Sequence, residues 1–227
     1  MSRRGETLAR TCLLVQRDFY PQLPAADIEE ALTGTRVRLT AHEGELTTRT
    51  GQTALVATFV WVAQLGCEIF LHCPRTSLAG DQPPLVGREL RAGLLALSRE
   101  LATPAQADDG RHVETAIALG ASRARGTADT EWRLSGDSFS TLLSTEKCQA
   151  PRWTGTEPFG ALLGGIAAAA EVFRAVLRRL GEARGLDAPA EWLAAGEDRC
   201  RQRGSHHEQC SVQSAPPERR GCRYPGG

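Results

Sequence analysis

The stretch that decides the fold runs from Thr35 to Cys73, TRVRLTAHEGELTTRTGQTALVATFVWVAQLGCEIFLHC. In Thr35–Ala41, Val37 and Leu39 alternate with Arg36, Arg38 and Thr40, the period of two that marks a strand. Ala41–Thr50 is polar and holds Gly44; from Gly51 the chain turns apolar and stays so through Leu65, stopping at Gly66. Periodicity alone does not separate a buried strand from a buried helix here. The β-branched and aromatic residues favour a strand, while the length and the terminal glycine favour a helix. A short strand, Cys67–Cys73, follows at once and is ended by Pro74, which selects the helix. Strand, loop, helix and strand in this order form a βαβ unit, so a parallel sheet with a right-handed crossover is expected.

Working outward, residues 1–34 read as an arm. It contains a short apolar strand at Thr11–Val15 and a short helix at Ala25–Leu32 that stops at Gly34. After the Gly80–Gly87 loop, Leu90, Leu94, Leu97 and Leu101 give Arg88–Ala102 an apolar helical face. A polar loop, Thr103–Arg111, precedes strands at His112–Leu119 and at Glu131–Leu134, the latter extending toward Leu143. Pro158 then opens a helix over Phe159–Leu180. Phe159, Leu162, Leu163, Ile166, Ala170, Phe173, Leu177 and Leu180 are its expected core face. Gly160, Ala161, Gly164, Gly165, Ala167 and Ala168 make its first half slim enough for a neighbouring backbone to approach. Residues 186–227 are of low complexity and poor in aliphatics from about 197, so disorder is expected there. The resulting fold class is α/β: a Rossmann-like, mostly parallel sheet flanked by helices over 35–185, with an N-terminal arm and a disordered C-terminal tail.

Charge narrows the function classes. Lys+Arg and Asp+Glu are 27 each, and Lys147 is the single lysine. A balanced chain lacks the basic excess that phosphate neutralisation requires, so no nucleic-acid partner is expected. The apolar run Phe159–Ala170 is shorter than the ~18 residues of a membrane helix. Seven cysteines without disulfide-framework spacing indicate a reducing, cytoplasmic setting. Cys67 and Cys73 flank a strand as core residues, and the tail donors Cys200, His206, His207, Cys210 and Cys222 lack the close pairs of a zinc site, so no metal centre is expected.

The first site candidate lies inside the deciding stretch. A Rossmann-like fold holds phosphate where a glycine-bearing turn meets a helix N-terminus. Gly44 and Gly51 bracket such a turn, Thr50 and Gln52 offer hydrogen-bond donors, and Arg49 offers charge. Helix initiation capped by Thr50, without a ligand, explains the same residues. The second strand ends in His72, Cys73 and Pro74, where a dinucleotide dehydrogenase carries an acid for the ribose, and this argues against that class. His42, at the C-terminal end of the first strand, stands at the edge where α/β ligands bind.

Two segments carry a family resemblance. PFGALLGGIAAAAEVFRAVL, Pro158–Leu177, is similar to the late Gly/Ala-rich helix of the ThiF/MoeB/HesA family, with Glu171, Phe173 and Arg174 as its glutamate and aromatic–basic pair. RTGQTALVATFVWVAQLG, Arg49–Gly66, resembles that family's first helix after its nucleotide loop. The family's glycine-rich GxGGxG loop and its CxxC pairs are absent. The resemblance implies a ThiF-type domain that uses ATP and Mg²⁺ to adenylate the C-terminal glycine of a ubiquitin-like or sulfur-carrier protein. It also implies a homodimer, or a heterodimer with an active homologue. Arg75 and Arg88 are the basic residues nearest the implied ATP contacts, and Cys148, beside Lys147, takes the place of an acceptor cysteine. The alternative is a non-catalytic Rossmann-like scaffold that binds a partner protein and has lost its nucleotide site.

Overall fold

The computed structural model describes residues 3–123, 126–145, 151–186 and 211–213. Helices α1 (Arg3–Asp18) and α2 (Ala25–Thr33) precede strand β1 (Arg36–Thr40). A 3-10 turn (Glu43–Glu45) and α3 (Arg49–Gln64) lead into β2 (Glu68–His72), completing the βαβ unit. Then follow α4 (Leu90–Glu100), β3 (Ala105–Ala107), β4 (Val113–Leu119), β5 (Ala128–Gly136), β6 (Ser140–Thr145), α5 (Phe159–Arg184) and a short β7 (Ser211–Gln213).

The strands form one sheet in the order β3-β2-β1-β4-β5-β6-β7. Neighbours from β3 to β5 are parallel, and β6 and β7 are antiparallel additions. This is a Rossmann-like, mostly parallel α/β sheet, and its order reverses at β1, with β2 on one side and β4 on the other. The C-terminal ends of β1 and β4 therefore form the topological switch point, where open α/β sheets hold their ligands.

One sheet face carries Val37, Leu39, Ile69, Leu71, Ile117, Leu119 and Leu134. It forms the main core with buried residues of α3, α4 and α5, among them Phe59, Leu94 and Val172. The opposite face has a different cover among the described residues. Arg38 projects from it and bonds to Asp108, to the Arg111 carbonyl and to the Thr127 carbonyl (Nη1–O 3.4 Å). Arg133 on β5 donates to the Ser122 carbonyl at 2.8 Å. Those partners lie in 108–112, which leads into β4, and in 120–123 and 126–127, between β4 and β5; none of these described residues is helical. A right-handed crossover that moves from β4 to β5 must pass over the face opposite the one used from β1 to β2, and these segments do so.

Several expectations are corrected. The strand expected at Thr11–Val15 is part of α1: Leu8, Cys12 and Val15 fall at helical spacing and are buried against α2 and the end of α5, while Leu13 is 64% exposed. Ala105–Ala107, inside the expected polar loop, is the edge strand β3. Glu131–Leu143 belongs to two strands: Asp137 turns the chain by accepting from the Phe139 and Ser140 amides at 2.9 and 2.8 Å. In the tail, Ser211–Gln213 pairs with β6 as β7, and the other residues from 187 onward, including the tail cysteines and histidines, lie outside the described residues.

The largest correction concerns α5, whose core face is the slim one. Gly160, Ala161, Gly164, Gly165, Ala168 and Val172 are buried, whereas Phe159, Leu162 and Ile166 face solvent; Leu177 and Leu180, farther along the expected face, are buried as expected. A Cβ on Gly165 would lie 2.7 Å from the Ala57 carbonyl carbon, so α3 and α5 touch backbone to backbone, as the Gly/Ala pattern implies. Burying glycine and alanine brings the helices together and leaves the bulky residues outside. The helix also runs well beyond the apolar segment read from the sequence. By length and composition it would cross a bilayer, but half of its most apolar window is buried inside this fold.

Candidate functional site

The switch point is built from three loops. The turn after β1 brings Glu45, the residues after β4 bring Gly120 and Ala121, and the segment before α5 brings Arg152 and Trp153. Glu45 is 2% exposed, and its carboxylate fills the crevice between the ends of β1 and β4. Oε1 accepts from the Ala121 amide and Oε2 from the Trp153 amide, both at 3.1 Å. Arg152 Nε lies 3.9 Å from Oε1, and its guanidinium covers Gly44. Gly120 adopts φ +53° directly against the carboxylate; a Cβ there would fall 2.3 Å from Oε2. Trp153 is held in place by its indole, which donates to the Leu134 carbonyl at 3.1 Å.

Of the residues expected to hold phosphate, Thr50, Gly51 and Gln52 are engaged within the protein. Thr48, two residues ahead of the expected cap, accepts from the Gly51 amide at 3.1 Å and caps α3. Thr50 is buried in the first turn and donates to the Gly155 carbonyl at 2.8 Å. Gly51 is pressed against the preceding turn: a Cβ would sit 1.9 Å from the Glu45 carbonyl oxygen. The Gln52 amide is saturated, donating to the Leu46 and Ser77 carbonyls and accepting from the Ala79 amide. This group of residues locks the N-terminus of α3 to the loops around it. Arg49 is exposed, and its carbonyl accepts from Thr53 and Gln82. Arg75 and Arg88 are exposed on the β2–α4 loop, Arg88 beside an open cavity of about 630 Å³ lined by Ser77, Gln82 and Leu85. Cys148 lies outside the described residues.

A second crevice, of about 320 Å³, opens at the ends of β1, β2 and β3, where His42, His72, Asp108 and Arg91 converge. Its acid was hidden from sequence reasoning. No carboxylate follows β2, but β3 lies alongside, and Asp108 at its end reaches within 3.9 Å of His72 Nδ1. The other oxygen of Asp108 accepts from Arg38 Nε at 2.9 Å, making an ion pair whose side chains are 0% and 2% exposed. His42 Nδ1 accepts from the Gly44 amide and so belongs to the turn that carries Glu45. Cys73 lines this crevice as a protonated thiol: burial pushes its pKa up to about 11, and that of Cys67 to about 12. Neither serves as a nucleophile near neutral pH.

No family model matches the chain, and no curated protein matches it. The chemistry has to be read from the site itself. A nucleotide placed across this switch point would bring its phosphates against the buried Glu45 carboxylate, anion against anion. The residues present therefore do not fit the phosphates of ATP. Glu45, Trp153 and Asp108 were not legible as site residues, because each comes from a segment distant in sequence from the groups it meets.

Proposed function

We propose that this protein is a divergent ThiF-type, Rossmann-like scaffold that binds a partner protein and no longer takes a nucleotide at its switch point. The observation that carries the reading is the Glu45 carboxylate, buried where the phosphates would lie and satisfied by the Ala121 and Trp153 amides. Thr50, Gly51 and Gln52 support it, since their hydrogen-bonding and steric roles are internal. The outward face of α5 and its surroundings supply a surface of the kind partners use. Phe159 stacks on Phe139 with centroids 5.9 Å apart, and Leu162, Ile166 and Trp61 are exposed with them. The partner class implied by the ThiF resemblance is a carrier protein or an active homologue of the same fold.

Calorimetric titration of the full chain with Mg·ATP tests the reading. No heat up to millimolar nucleotide is expected. Binding tighter than roughly 100 μM, about −5.5 kcal/mol, would overturn the scaffold reading and restore ATP-dependent adenylation of a carrier. Pyrophosphate exchange would then be the assay to run.

A further inference from the structure

We propose that the switch point is a binding site for a small carboxylate-like oxyanion, which the chain fills with its own Glu45 side chain. The walls of the site do not belong to the segment that fills it. Its donors are the Ala121 amide after β4 and the Trp153 amide before α5, each aimed at a different carboxylate oxygen at 3.1 Å. The Arg152 guanidinium stands at the outer edge, 3.9 Å away. Gly120 leaves the space a carboxylate needs, because any side chain there would collide with it.

The site demands acceptors only. Both oxygens of Glu45 face N–H groups, so an amide of the same shape would set its own NH₂ against a donor and leave a buried amide unpaired. Trp153 is pinned independently by its indole bond to Leu134, and Ala121 follows Gly120, whose amide donates to the Leu134 carbonyl at 2.8 Å, so both donors keep their direction when the side chain of Glu45 is removed. What remains on truncation to alanine is a cavity the size of the lost CH₂–carboxylate group, lined by two amides and flanked by a cation. Formate fits inside it and matches its chemistry.

This inference extends the filled switch point that underlies the scaffold reading, and the two fail separately. Mg·ATP binding by the wild-type chain overturns the scaffold reading, whereas the oxyanion response is read in a variant. The full-length Glu45→Ala chain is followed by thermal unfolding in sodium formate and in sodium chloride of matched ionic strength. Formate is expected to raise the melting temperature of the variant saturably, with chloride ineffective and the wild type indifferent. An additional Arg152→Ala substitution is expected to weaken the response. No response, or an equal one to chloride, overturns the proposal. Folding of Glu45→Ala in formate but not in chloride supports it in the same way. If the variant folds in neither salt, Glu45→Gln decides by hydrogen exchange. One of the Ala121 and Trp153 amides, the one set against the NH₂, should then lose about tenfold in protection while those within β4 keep theirs; unchanged protection at both amides overturns the proposal.

Discussion

At the scale of single residues, the chain places two charged side chains where burial makes them decisive. Arg38 alternates with Val37 and Leu39 in β1, which puts it on the other face of the strand from those two. The structure buries it, bonded to Asp108 and to the Arg111 and Thr127 carbonyls of the segments that lead into β4 and β5. A buried pair that loses one member leaves an uncompensated charge, a loss of about 3–5 kcal/mol. Arg38→Met is expected to destabilise the protein by that amount in urea unfolding. Asp108→Leu added to Arg38→Met should recover much of it, because a hydrophobic pair of similar volume avoids the desolvation cost. A loss below about 1 kcal/mol for Arg38→Met would show that those segments are held by something else. Glu45 gave no sequence signal either: its partners stand 76 and 108 positions away along the chain.

At the scale of elements, the βαβ unit was legible because its strand period, its apolar helix and its bounding glycine and proline agree with one another. The late helix was legible in extent and misleading in orientation. Leu162 and Ile166 are the residues a hydrophobicity argument places inside, yet Gly164 and Gly165 are the buried ones. Contact with α3 explains this, since backbones that approach to van der Waals distance gain dispersion along their length, and a larger side chain would prevent it. Gly165→Val is therefore expected to cost about 1–3 kcal/mol through overpacking. Leu162→Gln, on the exposed face, should stay within about 0.5 kcal/mol of wild type. Urea midpoints compare the two, and the reverse order would contradict the assigned orientation. In α1, contiguous Leu13 and Leu14 imitate a short strand; the helix shows only once Leu8, Cys12 and Val15 find α2 and α5.

At the scale of the whole molecule, stability at alkaline pH follows from the core thiols. Burial raises the pKa of Cys67 to about 12 and of Cys73 to about 11, from an ordinary value of 9.0. Groups whose folded pKa lies above the unfolded one hold protons that the unfolded chain gives up. Their contribution is complete below about pH 9 and is lost as pH rises toward 11–12. Urea stability is expected to fall across that window, and a Cys67→Ala/Cys73→Ala variant should show a shallower fall. An identical slope in the variant would mean that other groups govern alkaline unfolding.

By itself the sequence determined the α/β class, the βαβ unit and the slimness of the late helix, because these are written in local period, turn chemistry and side-chain size. The tertiary structure alone decided which face of α5 is inside, that Arg38 is buried on the second sheet face against Asp108, and that a carboxylate fills the switch point. Each of those depends on groups brought together from distant positions, and local pattern carries no information about which donors a buried side chain will meet.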